Sequence, residues 1–156
     1  MNTREQLIDQ IHHAFQSNKY PTKSCFAKPD IFGEGQTINA NFKNVFWIKC
    51  PLSILIQDED HIDLLEPEAF QYFTPAYLLA IINHPNDTWR IHFRLTSQFK
   101  RPLDPKHIDF YNQRMHLFTR EQLQVVLNTI QYMSQTNLVD ECNAEIQSLN
   151  QLIATS

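Results

Sequence analysis

Histidines are the side chains of this chain best suited to acid–base chemistry or metal binding. The seven are His12, His13, His61, His84, His92, His107 and His116. Two histidines that bind zinc from one helix face lie three or four positions apart, and no two of these do. The chain also lacks a glycine-rich phosphate loop. The sequence therefore predicts neither a bound metal nor a cofactor.

A catalytic site would have to be assembled by the fold from distant residues. His61 and Asp63 form a short His-x-Asp pair, and His107 begins another. Together, His61, Asp63 and His107 carry the alternative hypothesis of a small cytosolic enzyme. Against it, no serine lies in a glycine-flanked nucleophile turn, and the three cysteines match no metal or redox spacing. We expect reduced thiols, a cytoplasmic protein and no enzymatic activity.

Six acidic residues fall within eleven positions, from Asp58 to Glu68. They lack the glycine and spacing of a calcium loop, and paired catalytic carboxylates need a pocket that separates their pKa values. Residues 50–89 contain seven Asp and Glu but no Lys or Arg, which predicts a negative local field. An acidic face speeds association with a basic protein. The predicted partner-binding residues are Asp58, Glu59, Asp60 and Asp63.

A basic block follows this acidic segment. Residues 90–120 contain seven Lys and Arg against two Asp and Glu, interleaved with aromatic residues. Basic residues beside aromatics can bind single-stranded nucleic acid. The net charge of −4 and the placement of several aromatics on core-facing positions argue against this function. We do not expect a nucleic-acid partner.

The elements that position these residues centre on the segment from Leu65 to Ile82. It contains two helix-start signals. Glu66-Pro67 is the earlier one, and Thr74-Pro75 is the later one, with Thr74 as N-cap and proline at the first helical position. The residues from Ala76 to Ile82 are apolar on all sides, which predicts a buried central helix.

The stretch Pro67-Glu68-Ala69-Phe70-Gln71-Tyr72-Phe73-Thr74-Pro75-Ala76-Tyr77-Leu78-Leu79-Ala80 resembles the signature of a family of small bacterial proteins of unknown function. Weaker similarity extends over most of the chain. The resemblance implies a compact, mainly helical domain. It brings no catalytic residues with it.

Other helices are predicted from caps and periodicity. Thr3 with Gln6 and Thr119 with Gln122 form capping-box patterns. Asn137 is a candidate cap for the last helix. Residues 52–56 fit either a short helix or a strand. Residues 89–95 alternate apolar and basic side chains, which indicates a strand, although the family resemblance and the helical neighbours favour a helix.

The prediction as a whole is a mainly α-helical protein of about six helices, with residues 1–156 forming a single domain. Residues 20–44 contain both glycines and two prolines and are expected to form an irregular loop. No apolar run approaches the roughly 20 residues that cross a bilayer, and the polar N-terminus does not resemble a signal peptide. The predicted function is non-enzymatic protein binding. In its specific form, an immunity or antitoxin-like protein covers a basic toxin with its acidic face.

Overall fold

The computed structural model describes residues 2–22, 26–136 and 142–156, and it is 69% helical. The α-helices in this described part are α1 (Arg4–Phe15), α2 (Glu34–Phe42), α3 (Leu52–Gln57), α4 (Pro67–Asn83), α5 (Trp89–Ser97), α6 (Ile108–Met115), α7 (Arg120–Gln135) and α8 (Asn143–Thr155). Short 3-10 segments cover Trp47–Lys49, Glu59–Leu64 and Pro105–His107. The predicted mainly helical fold is confirmed. The assignment of residues 1–156 to one domain stays a prediction.

Helix α4 is the centre of the core, as predicted, but it begins at the earlier of its two start signals. Glu66 is its N-cap and Pro67 its first residue, so the prediction of Thr74 as N-cap is wrong. Thr74 is buried inside the helix, and its hydroxyl donates to the Phe70 carbonyl at 2.7 Å. The helix therefore continues through Pro75, a residue that costs about 3 kcal/mol in a helix interior.

A buried amide cluster lies beside this proline. Because Pro75 has no N–H, it cannot bond the Gln71 carbonyl four residues earlier; the Asn18 side-chain amide donates to that carbonyl instead, at 3.4 Å. The Gln71 amide donates to Gln122 Oε1 at 3.0 Å, and Gln122 Nε2 donates to the Ala14 carbonyl at 3.0 Å. Three helices, α1, α4 and α7, are thus joined where the central helix lacks a backbone bond.

The core around α4 is strongly aromatic. Phe70 packs against Phe99 and Phe118, with ring centroids 5.6 and 5.9 Å apart, and Phe15 reaches Phe118 from α1. Buried aromatic pairs of this kind contribute about 0.5–1.5 kcal/mol beyond their area. Both predicted capping boxes are present, at Thr3 and Thr119.

The expected irregular loop at 20–44 is wrong for residues 34–42, which form α2. Gly33, with φ of 77°, ends the preceding turn, and the Asp30 carboxylate accepts from the Gly35 N–H at 3.0 Å. A Cβ on Gly35 would lie 2.2 Å from the Lys28 carbonyl oxygen, so glycine allows this close approach. Contacts of Gly35 with the turn before it thus accompany a helix where the local sequence indicates a loop.

The segment 89–95 is helical, and its strand alternative is wrong. Ile91 and Leu95 are buried together with His92 and Thr96, one pair per helical turn. That spacing is the helical one. Residues 52–56 are likewise helical, within α3. The predicted cap Asn137 lies outside the described residues, and α8 begins at Asn143. No helix in the described part of the chain is long and apolar enough to span a membrane.

Candidate functional site

The four predicted partner-binding residues lie in and beside the 3-10 segment Glu59–Leu64, in different environments. Asp58 is only 4% exposed, and the Asn41 side chain donates to its Oδ2 at 2.9 Å. A carboxylate held in this way ties α2 to the acidic segment and has little surface left for a partner. The expectation of an exposed acidic face does not hold for Asp58.

Glu59 and Asp60 are paired with helix α5. Arg90 Nη1 lies 3.1 Å from Asp60 and 3.6 Å from Glu59, and Arg94 Nε lies 3.4 Å from Asp60. The acidic segment and the start of the basic block, separate in sequence, thus lie side by side. Their charges partly cancel, since the guanidinium groups of Arg90 and Arg94 lie against the carboxylates of Glu59 and Asp60.

A buried arginine of α6 holds the 3-10 segment Glu59–Leu64 through hydrogen bonds to its backbone. Arg114 is 2% exposed and donates from Nη2 to the carbonyls of Asp63, at 2.9 Å, Ile62, at 3.3 Å, and Leu65. Its Nη1 donates to Gln98 Oε1 at 2.6 Å. The acidic segment is therefore held through its backbone carbonyls, and the Asp63 side chain itself is exposed.

Two aromatic rings hold the same guanidinium. Arg114 Cζ lies 4.4 Å from the centroid of the Phe70 ring and 4.6 Å from the centroid of the Phe110 ring. The Lys28 ammonium lies 3.0 Å from the same Phe110 centroid. Burial lowers the pKa of Arg114 to about 10, an effect that Asp63 and Glu66 oppose. The side chain is therefore charged at neutral pH, with carbonyl oxygens and π faces as its partners.

The outward side of α5 carries an exposed aromatic pair, and the Arg90 guanidinium carbon lies 5.5 Å from the Trp89 ring centroid. Trp89 and Phe93 are 63% and 64% exposed and lie four residues apart, next to the stripe formed by Arg90 and Arg94. We call these four residues with Glu59 and Asp60 the α5 surface. Spacing of four between two aromatics was the available signal, but the strand alternative placed both rings on one core-facing side. The buried ring of Phe99 shows that other aromatics of the basic block do belong to the core.

The residues of the enzyme alternative have different partners. His61 Nε2 pairs with Glu34 at 3.1 Å, across to the start of α2. The Asp63 carbonyl accepts a hydrogen bond from Arg114. His107 is the last residue of the 3-10 segment Pro105–His107, and it interacts electrostatically with Asp104. Across residues 2–22, 26–136 and 142–156, no three His, Cys, Asp or Glu side chains form a group that could hold a metal.

One of the seven histidines, His92, is buried on the inner side of α5. It is 4% exposed, and its Nε2 has no hydrogen-bond partner among the residues that the structure describes. Its apolar surroundings include Leu78, Ile81 and Met133, with about 10 Å³ of space, room for about one water. Burial lowers the pKa of His92 to about 4. The side chain is therefore neutral at neutral pH and serves the packing of α5 against α4 and α7.

Among known protein families, residues 3–154 match the model of DUF6714, which is described as a family of unknown function. No curated protein matches the chain. No solved structure matches it either.

Proposed function

The chain belongs to DUF6714, a family of unknown function, and we propose from the geometry of its surface that it is a non-enzymatic protein-binding module. The α5 surface is its contact site. The observation that carries this proposal is the exposure of Trp89 and Phe93, at 63% and 64%, one helical turn apart.

An exposed aromatic ring gains no free energy from burial unless a partner covers it. Each large ring kept in water forgoes roughly 1.5–3 kcal/mol of burial, and Trp, Phe and Arg are enriched at the centres of protein interfaces. Trp89 and Phe93 supply the apolar centre of such a contact. Arg90 and Arg94, held by Asp60, supply oriented planar groups at its edge.

The charge of this surface favours a basic partner. The charges of Arg90 and Arg94 balance those of Glu59 and Asp60, and the exposed Asp63 of the same 3-10 segment adds one net negative charge beside this surface. Electrostatic complementarity of this kind raises association rates. Asp58 supports the fold of the segment and is not itself a contact residue in this proposal.

A specific form of this function is bacterial immunity or antitoxin activity against a basic toxin. Small size, the acidic rim and a preformed aromatic contact suit a protein that covers another protein's surface. The enzyme alternative receives less support, since His61 is engaged by Glu34 and His107 lies with Asp104.

The test is affinity capture from a lysate of the organism that encodes the chain, with quantitative mass spectrometry. Baits are the parent, the double variant Trp89→Ala/Phe93→Ala, and a control, Ile31→Ala/Phe32→Ala, which removes two other exposed apolar side chains. We expect one basic protein to be retained by the parent and the control and reduced at least tenfold with the α5 variant. Equal recovery by the α5 variant, or no specific protein, would refute the proposal.

The immunity form needs a second assay. The captured protein is expressed alone, then with the parent, and then with the α5 double variant. Growth arrest that the parent relieves and the double variant does not would support it. A captured protein that is harmless when expressed alone excludes a toxin partner while leaving the binding site intact.

A further inference from the structure

A second surface is a cleft between α4 and the 3-10 segment Trp47–Lys49. Its floor is made by small and apolar side chains of the second half of α4, including Ala76, Leu79 and Ala80. Trp47 forms one wall; it is 6% exposed and is braced by the His12 ring, with centroids 5.6 Å apart. The wall is therefore rigid.

Two exposed apolar side chains lie at or beside the mouth of this cleft. Ile48, which lines it, is 58% exposed, and its neighbour Phe46 is 57% exposed. The Phe46 ring packs against the Tyr20 ring, with centroids 5.5 Å apart. Cys50 also lines the cleft, and burial raises the pKa of its thiol to about 12. At neutral pH the thiol is uncharged, so it adds to the apolar lining and is not a nucleophile.

The volume limits what enters. The cleft encloses about 250 Å³, below the 300–1,000 Å³ typical of cofactor and metabolite sites. That space suits one large side chain delivered by another protein.

The rim of the cleft is positive. Lys49 lies between the lining residues Ile48 and Cys50, and Arg4 donates to the side chain of Asn83, another lining residue. Both cations are exposed, and neither forms an ion pair within the described part of the chain. None of the lining residues is acidic. Two full charges outweigh the partial negative charge, about half a unit, at the nearby C-terminus of α4.

We propose that this cleft docks an acidic protein segment, which inserts one large apolar side chain between Trp47 and α4 while its carboxylates face Lys49 and Arg4. The occupant differs in charge from the basic partner of the α5 surface. The two sites therefore give the protein two faces of opposite electrostatic character, able to bind two different proteins at once.

The probe is a phage-displayed library of random 12-residue peptides, selected on the parent, on Ile48→Asp and on Ile31→Asp. Both substitutions place a carboxylate at an exposed isoleucine, 58% and 91% exposed, so both variants are expected to fold. Peptides selected on the parent and on Ile31→Asp should carry one Leu, Phe, Trp or Met flanked by Asp or Glu. Enrichment should fail on Ile48→Asp.

The consensus peptide is then synthesised and titrated into the ¹⁵N-labelled protein. We expect shifts of the Trp47 indole and of Ala80, affinity that falls with salt, and at least tenfold weaker binding by Lys49→Glu. No enrichment, a consensus without acidic residues, or shifts confined to α5 would each overturn the proposal. A dimer in sedimentation experiments that Ile48→Asp abolishes would assign the cleft to a second copy of the chain instead.

Discussion

Arg114 is the side chain whose removal tests most directly how the acidic segment is held. The perturbation is Arg114→Met, which keeps length and apolar character but removes the charge and every donor. It leaves the carbonyls of Asp63 and Leu65 without their guanidinium partner, whereas Ile62 O keeps the Leu65 N–H at 3.3 Å.

The magnitude follows from these contacts. A hydrogen bond to a charged group contributes about 1.5–3 kcal/mol, and stacking on desolvated rings adds about 2 kcal/mol. Removing the charge also removes the desolvation penalty of burying it, which offsets several kcal/mol of this loss in folding free energy. With Phe70 and Phe110 both against the guanidinium, we expect a net loss of about 4 kcal/mol, a large fraction of the 5–15 kcal/mol that stabilises a typical protein.

The assay is urea unfolding followed by circular dichroism, with Arg101→Met as the matched control because Arg101 is exposed. The control should stay within about 0.5 kcal/mol of the parent. Arg114→Lys keeps the charge but not the planar fork, so its loss should be intermediate. Hydrogen exchange should also speed up at residues 62–66 in Arg114→Met. A loss below about 1 kcal/mol, or one equal to that of the control, would refute this account of the anchor.

Three further outcomes are expected. Gln122→Ala should cost about 3 kcal/mol because it opens the buried amide cluster, whereas Gln6→Ala, at the exposed capping box of α1, should cost about 1 kcal/mol or less; equal losses in chemical denaturation would contradict the cluster's role. Because burial lowers the pKa of His92 from 6.5 to about 4, the unfolded chain takes up the proton first as the pH falls. Stability should therefore decline below about pH 6.5 and level off below about pH 4, with a total loss of about 3 kcal/mol. His92→Leu should lose that part of the pH dependence, and an unchanged profile would show that another group causes it. Gly35→Ala should lower the melting temperature by several degrees, since its Cβ would meet the Lys28 carbonyl oxygen at 2.2 Å; an unchanged melting temperature would mean that the backbone moves freely there.

The starts of α1 and α7 could be predicted because the signals that decide them are local. The Thr3 and Thr119 hydroxyls accept hydrogen bonds from backbone N–H groups three residues later in the chain. The side chains of the glutamines at those positions accept from the threonine N–H groups. The apolar run Ala76–Ile82 likewise determines burial by itself, since no face of that helix could stay in water.

The start of α4 could not be decided from sequence, because two equally good local signals compete. Pro75 lies inside the helix, and Asn18, from a distant part of the chain, bonds the carbonyl that the proline leaves free. Likewise α2 depends on the fit of Gly35 against Lys28. The first of these contacts joins residues 53 positions apart, and the second depends on the path of the chain between Lys28 and Gly35; helix propensity carries no information about either.

By itself, the sequence determined the helical fold class, the buried central helix and the segregation of acidic and basic residues along the chain. Only the tertiary structure decided what that segregation means. Packing places Arg90 and Arg94 against Asp60, so charges that dominate their own segments partly cancel each other. The same packing turns Trp89 and Phe93 outward, because a helix can bury only one of its faces against a neighbour, and the choice of face depends on which surface the rest of the chain presents.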